Sequence, residues 1–244
     1  MSSAPPNILN DVNAWAVVDL LQAWLKRAGS PDASQWLEGE IDRQRVALDE
    51  RRLGIAIGLA GRRIGRKQLS LSAADIAAAQ TLYKRWRPDI WSTDAAARVA
   101  LVLATWRAND GVRFASLIDR LCVAAELTEH VACLKGFAVF PAPGNLLGVA
   151  RAALRSSTQA LFEAIACYNP YPADHFDTDA FNQMVLKCVF SELPIGAVVG
   201  LDERRNNELV RMIRDLVSER NAAARAVPEA VHRWIADPSN SNSA

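Results

Sequence analysis

From Asp11 to Ala236 apolar residues recur at helical spacing, and short breaks of glycine, proline or capping residues interrupt them. That pattern constrains the fold more than any other feature, because it leaves little room for anything except packed helices. Trp15, Val18, Leu21 and Leu25 set a first helix over Asp11–Ala28, stopped by Gly29-Ser30-Pro31. Helices are expected from about Ser34 to Leu48 and from Asp49 to about Arg63. Ser72 then caps a helix through Tyr83 and Trp86 that Pro88 ends. Thr93 or Asp94 caps the next, with Val99, Leu103 and Trp106 on one side. After the Asn109-Asp110-Gly111 turn, Phe114–Ala124 should be its antiparallel partner. Thr128 caps a helix ending at Pro141, paired with Asn145–Arg155. Ser157–Tyr168 and Phe176–Phe190 follow, either side of Asn169-Pro170-Tyr171-Pro172. A long helix after Gly200, with Asp202 as N-cap, and a short one opened by Pro228 close the chain.

Helix pairs thus recur at roughly thirty-residue intervals with short links, the spacing of stacked two-helix units. The expected class is all-α: a single domain over residues 11–236, a solenoid-like stack of antiparallel helix pairs of HEAT or armadillo type. An irregular helical bundle is the alternative. The segments 1–10 and 237–244, the latter rich in Pro, Ser and Asn, read as disordered ends.

Net charge is +1 over 244 residues, which argues against a nucleic-acid binder driven by charge. The four cysteines, Cys122, Cys133, Cys167 and Cys188, sit in apolar runs without C-x-x-C spacing and read as core thiols. A reducing, cytoplasmic setting is the simplest compartment for them. No signal peptide is evident, and no apolar run approaches the roughly 20 residues of a membrane span. His130, His175 and His232 are scattered, so no metal site is expected. No phosphate loop, nucleophile–histidine spacing or cofactor motif appears.

The unusual polar residues lie late in the chain. Asn182, Gln183 and Lys187 interrupt a segment, Phe181–Phe190, that is otherwise apolar nearly all round. Such a helix is normally buried, and a buried unpaired amide costs roughly 1–3 kcal/mol. Asn182, Gln183, Lys187, Asp202, Asn206, Glu219, Arg220 and Arg225, with the Tyr171 hydroxyl, could converge on a small ligand. Alternatively they satisfy one another and cap helix ends. The density of carboxamides favours the ligand. Asn169, Pro170, Pro172 and Gly200 are structural, breaking one helix before the next. A desolvated Lys187, or Glu219 as base, would allow an enzyme instead. The other outlier is basic: Arg51, Arg52, Arg62, Arg63, Arg66 and Lys67 bracket Leu53–Ala60. They suit an anionic membrane surface or a partner's acidic loops, or a solvated edge balanced by Glu40, Asp49 and Glu50.

Three late blocks, Asn-Pro-Tyr-Pro at 169–172, Asn-Gln-Met-Val-Leu-Lys at 182–187 and Gly-Leu-Asp-x-Arg-x-Asn at 200–206, resemble the EboA domain family. The resemblance extends to Gly65-Arg66-Lys67, Trp91, Arg98, Glu219-Arg220 and Arg225. Where the family pattern has Trp before the Asn-Gln pair, this chain has Phe181, and Val217-Ser218 replaces an aromatic-His pair. The resemblance implies a metabolite-traffic protein without an established reaction or cofactor. Its cargo would be a small hydrophobic secondary-metabolite precursor, aromatic or isoprenoid, bound for export. Its partners would be a UbiA-like prenyltransferase and other enzymes encoded nearby. Association with the membrane would be peripheral, and a purely scaffolding role is the remaining alternative.

Overall fold

The computed structural model describes residues 11–236, so the two expected disordered ends lie outside the described residues. The described chain is all-helical, and its one recorded β pairing is an isolated bridge between Gln68 and Ser92. The helices are α1 (Asp11–Ala28), α2 (Pro31–Val46), α3 (Glu50–Arg63), α4 (Ala73–Leu82), α5 (Thr93–Leu103) and α6 (Gly111–Ala124). They continue with α7 (Leu127–Gly136), α8 (Leu147–Arg155), α9 (Gln159–Ala166), α10 (Tyr171–His175), α11 (Thr178–Phe190), α12 (Asn207–Ala222) and α13 (Glu229–Ala236).

Short polar side chains start several of these helices. Ser30 accepts from the Ala33 amide ahead of Pro31, and Asp49 accepts from the Arg52 amide. Ser72 and Asp75 form a reciprocal capping box. Three expected caps move. Glu126, boxed with Glu129, replaces Thr128 as the cap of α7. Ser92 precedes α5, while Thr93 Oγ1 donates to the Gly65 carbonyl and Asp94 turns to Arg98. Asp202 caps nothing, because the chain turns tightly through Arg204–Arg205 and Asn206 caps α12 at 2.9 Å from the Leu209 amide.

The centre of the molecule is α5, all eleven residues of which are buried. Its Ala95, Ala96, Ala97 and Ala100 let α1, α2, α3 and α7 pack around it. Those four neighbours fill its surface, so α6, expected as its partner, packs instead on α7 and the 3-10 turn Pro143–Leu146. With α5, α6 and α9 packed on α7, α8 pairs with α9 rather than with α7. From α5 onward, α7, α9 and α11 follow one another in contact, and α11 packs on α12. Two aromatic groups fill the interior: Trp24, Trp86 and Trp91 near α5, and a chain from Trp106 through Phe114, Phe140 and Phe137 to Tyr171. Gly200 holds φ +75°, and a Cβ there would come within 2.6 Å of Ala173 Cβ, so the turn before α12 requires glycine.

Candidate functional site

The late polar residues resolve into separate local jobs. Asn182, buried on α11, exchanges two amide hydrogen bonds with Asn206, at 3.2 and 3.0 Å. Asn206 also donates to the Arg204 carbonyl and caps α12, so its carboxamide is fully engaged and that of Asn182 is held by it at both ends. Gln183, expected inside, is exposed: one residue along α11 turns it off the buried face that Asn182 occupies. Lys187 donates to the carbonyls of Leu154 (2.6 Å) and Ser156 (3.1 Å), and its ammonium lies 4.4 Å from the Phe162 ring centre. It therefore closes the C-terminal end of α8, where cations are favoured. Asp202, exposed, accepts from Trp234 Nε1 at 2.8 Å. Glu219 and Arg225 are exposed on the far end of α12 and beyond it. Arg220 is buried, bonded to the Phe190 carbonyl and paired with Glu192, while its Nε lacks a partner among the described residues.

Lys187 and Glu219 consequently share no site, and none of the cavities described below is lined by any of these residues. The Asn169–Pro172 break is structural as expected. Asn169 bonds the carbonyls of Leu134 and Ala164 and the Tyr171 amide, and Pro170 and Pro172 are buried. Tyr171 points inward to the Pro143 carbonyl at 2.6 Å, and burial pushes its phenol well above the usual range. His175, expected in solvent, packs on Tyr171 at 4.8 Å, and burial lowers its pKa.

The basic stretch lies along the outer side of α3. Arg51, Arg52, Arg62, Arg63, Arg66 and Lys67 are all exposed. Arg52 grips Glu40 at 2.9 and 2.8 Å, and Arg43 joins the same carboxylate. Between α2 and α3 runs a groove of about 510 Å³, with Trp36, Ile55 and Leu59 among its apolar walls and Arg43, Arg51 and Arg63 along its rim. A second hollow of about 440 Å³ carries Arg27, Arg63 and Lys67.

A different kind of site lies where α3, α5, α6 and α7 meet. Its hollow measures about 240 Å³. Ile57, Val102 and Leu121 supply apolar walls, and Gly54 and Ala124 open it to the surface. Arg98 lines it from α5 while only 3% exposed. The guanidinium is anchored by Asp94, one turn earlier, and by the Ile57 carbonyl at 3.1 Å through Nε. Its Nη2 makes no hydrogen bond among the described residues. Glu129, half-buried, faces the same hollow from α7, its Oε1 3.5 Å from where a Cβ on Gly58 would stand. Cys133 completes the wall, its sulfur 3.4 Å from that of Cys122. Nearby, burial lowers the pKa of Lys135, with Glu163 and Asp94 opposing the shift.

Within this fold, a family model described as "Metabolite traffic protein EboA" matches residues 17–236. The chain belongs to the EboA family. No curated protein and no solved structure matches it. In this EboA-family chain the family match covers both the late polar cluster and the central hollow. Arg98 already stood among the residues carrying the resemblance, but its companions went unnoticed. The available signal was an Asp and an Arg four residues apart inside an apolar, alanine-rich helix, a pair that burial alone would not select. Gly54, Glu129 and Cys133 carry no such mark, because only the packing of α3 and α7 on α5 brings them to Arg98. Among the described residues, no group of three or more His, Cys, Asp or Glu side chains could hold a metal ion. Nor is any helix there long and apolar enough to cross a membrane.

Proposed function

We propose that this chain binds or hands over a small hydrophobic metabolite, aromatic or isoprenoid, in the hollow between α3, α5, α6 and α7. The observation that carries the reading is Arg98, whose side chain is 3% exposed yet lines a mostly apolar cleft shared with Glu129, its Nη2 making no hydrogen bond among the described residues. A buried cation needs partners, and a ligand oxygen is the natural remaining acceptor. Apolar walls with a few placed polar groups are the usual make-up of a small-molecule site. The size suits a modest cargo, since a dry cavity of about 150 Å³ accepts benzene. The membership in a family of metabolite traffic proteins supports the same reading.

The reading extends to partners. The chain acts from the cytoplasm and meets a UbiA-like prenyltransferase or another nearby-encoded enzyme at the membrane, delivering a secondary-metabolite precursor for export. Arg51, Arg62 and Arg63, exposed and without an ion pair among the described residues, support docking on an acidic loop. A solenoid-like stack is part of the proposal too, supported by the succession of α5, α7, α9 and α11.

Gly54→Leu tests the cleft, because a Cβ at Gly54 meets no atom within 4 Å and a longer side chain would occupy the open space. Titration calorimetry with 1-naphthol and with geraniol should show saturable binding of at least one probe to the wild-type protein. Gly54→Leu should abolish it, whereas Lys187→Met should leave it intact. Binding that survives Gly54→Leu, or no binding of either probe, would overturn the proposal.

A further inference from the structure

All four cysteines are free and buried, and they stand in two pairs. Only one pair touches a described cavity. Cys122 on α6 and Cys133 on α7 hold their sulfurs 3.4 Å apart, and Cys133 forms part of the cleft wall. A disulfide needs about 2.05 Å, so bond formation requires side-chain rotations and a shift of little more than an ångström. The two helices are joined by Ala125–Glu126 alone, so the bond would close a local hairpin without dragging distant elements. The other pair, Cys167 and Cys188, lines none of the cavities described above.

We propose that Cys122 and Cys133 form an oxidation site, converted to a disulfide by a small hydroperoxide that enters through the cleft and passes the wall residue Cys133 to reach the Cys122 sulfur behind it. In the first step the Cys122 thiolate attacks a peroxide oxygen: an S–O bond forms, the O–O bond breaks, and the departing oxygen takes up a proton as alcohol or water. Cys122 is thereby oxidised by two electrons to a sulfenic acid, and the peroxide is reduced. The Cys133 sulfur then attacks the sulfenic sulfur. The S–S bond forms, the S–O bond breaks, and water leaves with the Cys133 proton. Two thiols and one hydroperoxide give one disulfide, one alcohol or water, and one water. The bond draws Cys133 Sγ away from the cleft, so its wall changes shape with redox state.

The charge environment suits this division of roles. Contact with the Cys133 thiol lowers the Cys122 pKa against the desolvation that raises it, and His130 adds to the lowering. Asp119 opposes it, and across the cleft stand Arg98 and Glu129. Cys133 is pushed well above the ordinary thiol range, by its contact with Cys122 and by burial, and so waits as the protonated resolving partner.

The test exposes the reduced full-length protein to limiting hydrogen peroxide, alkylates remaining thiols, and maps the peptides by mass. The Cys122–Cys133 peptides should lose two hydrogens and escape alkylation roughly tenfold faster than Cys167 and Cys188, which lack the opening. The rate should rise with pH as Cys122 ionises and should level at a lower pH than for an ordinary thiol. Cys133→Ser, which keeps a hydrogen-bond donor beside Cys122, should leave a sulfenic acid there that a cyclic 1,3-dione captures, and Cys122→Ser should abolish disulfide formation. Equal rates for the two pairs, sulfinic acid on Cys122 without a disulfide, or a rate that is flat from pH 5 to 8 would each overturn the proposal.

Discussion

Of the buried polar pairs among the described residues, the one on α5 and the one between α11 and α12 make a contrast, because a described cavity adjoins only the first. Asn182 and Asn206 exchange two amide bonds, Asn206 gives its remaining amide hydrogen to the Arg204 carbonyl and accepts from the Leu209 amide, and none of the described cavities adjoins them. Asp94 and Arg98 hold each other and one carbonyl, yet an unengaged nitrogen remains beside an apolar hollow. The difference teaches that polarity inside a helix is not itself a sign of a site. A neutral amide pair saturates cheaply and fixes the α11–α12 register, as a structural device should. A guanidinium with five donors, sunk in an alanine-rich helix, is far harder to saturate and is a poor choice for stability alone.

Arg98→Met tests that contrast with the largest expected effect. It strands the Asp94 carboxylate in the core and removes the donor to Ile57, which should lower unfolding free energy by about 3–5 kcal/mol in urea melts. Adding Asp94→Leu should recover most of that loss, because exchanging a buried ion pair for packed apolar side chains is often close to neutral. A cost below about 1 kcal/mol for Arg98→Met alone would mean that the pair is hydrated, and the contrast between the clusters would collapse.

How much of this the sequence disclosed depends on the range of the interaction concerned. Helix existence was legible throughout, since periodicity and caps such as Ser72 and Asp49 act within a turn or two. The helix that apolar pattern singled out as buried was α11, whereas the completely enclosed one is α5, whose alanines look unremarkable until four helices are seen to need close approach. Asp202 is the expected cap and Asn206 takes that place, because cap choice depended on a turn set by Gly200 and its contact with Ala173. Lys187 could not be assigned from its own helix, since its partners, Leu154 and Ser156, lie over thirty residues upstream. The cleft was illegible for the same reason: its lining comes from four helices, and no local spacing encodes their meeting.

The closed cluster has its own test of middle size. Asn206→Ala removes an N-cap and leaves Asn182 buried with an unpaired amide, so a loss of about 1–3 kcal/mol is expected. A double-mutant cycle with Asn182→Ala should give a coupling of about 0.5–1.5 kcal/mol, since each amide is the other's partner. Neither variant should alter naphthol or geraniol binding once stability is allowed for. Lys187→Met should lose about 1–2 kcal/mol, as two carbonyls at the end of α8 lose a charged donor while the Phe162 contact is largely kept. Loss of probe binding in any of these three would move the site to the C-terminal cluster.

Gln183→Ala carries the smallest expected effect and bears on the same contrast. Gln183 shares a helix with Asn182 and stands four residues before Lys187, so on spacing alone it belonged with them. In the fold it faces solvent and makes no recorded side-chain hydrogen bond, which leaves helix propensity as the main quantity the substitution changes. Stability should move by no more than about 0.5 kcal/mol, in the stabilising direction, and probe affinity should not move at all. A loss above about 1 kcal/mol would show that Gln183 has a buried partner in solution. The α11 face would then have to hold something besides Asn206, and the closed cluster would become the better candidate for cargo.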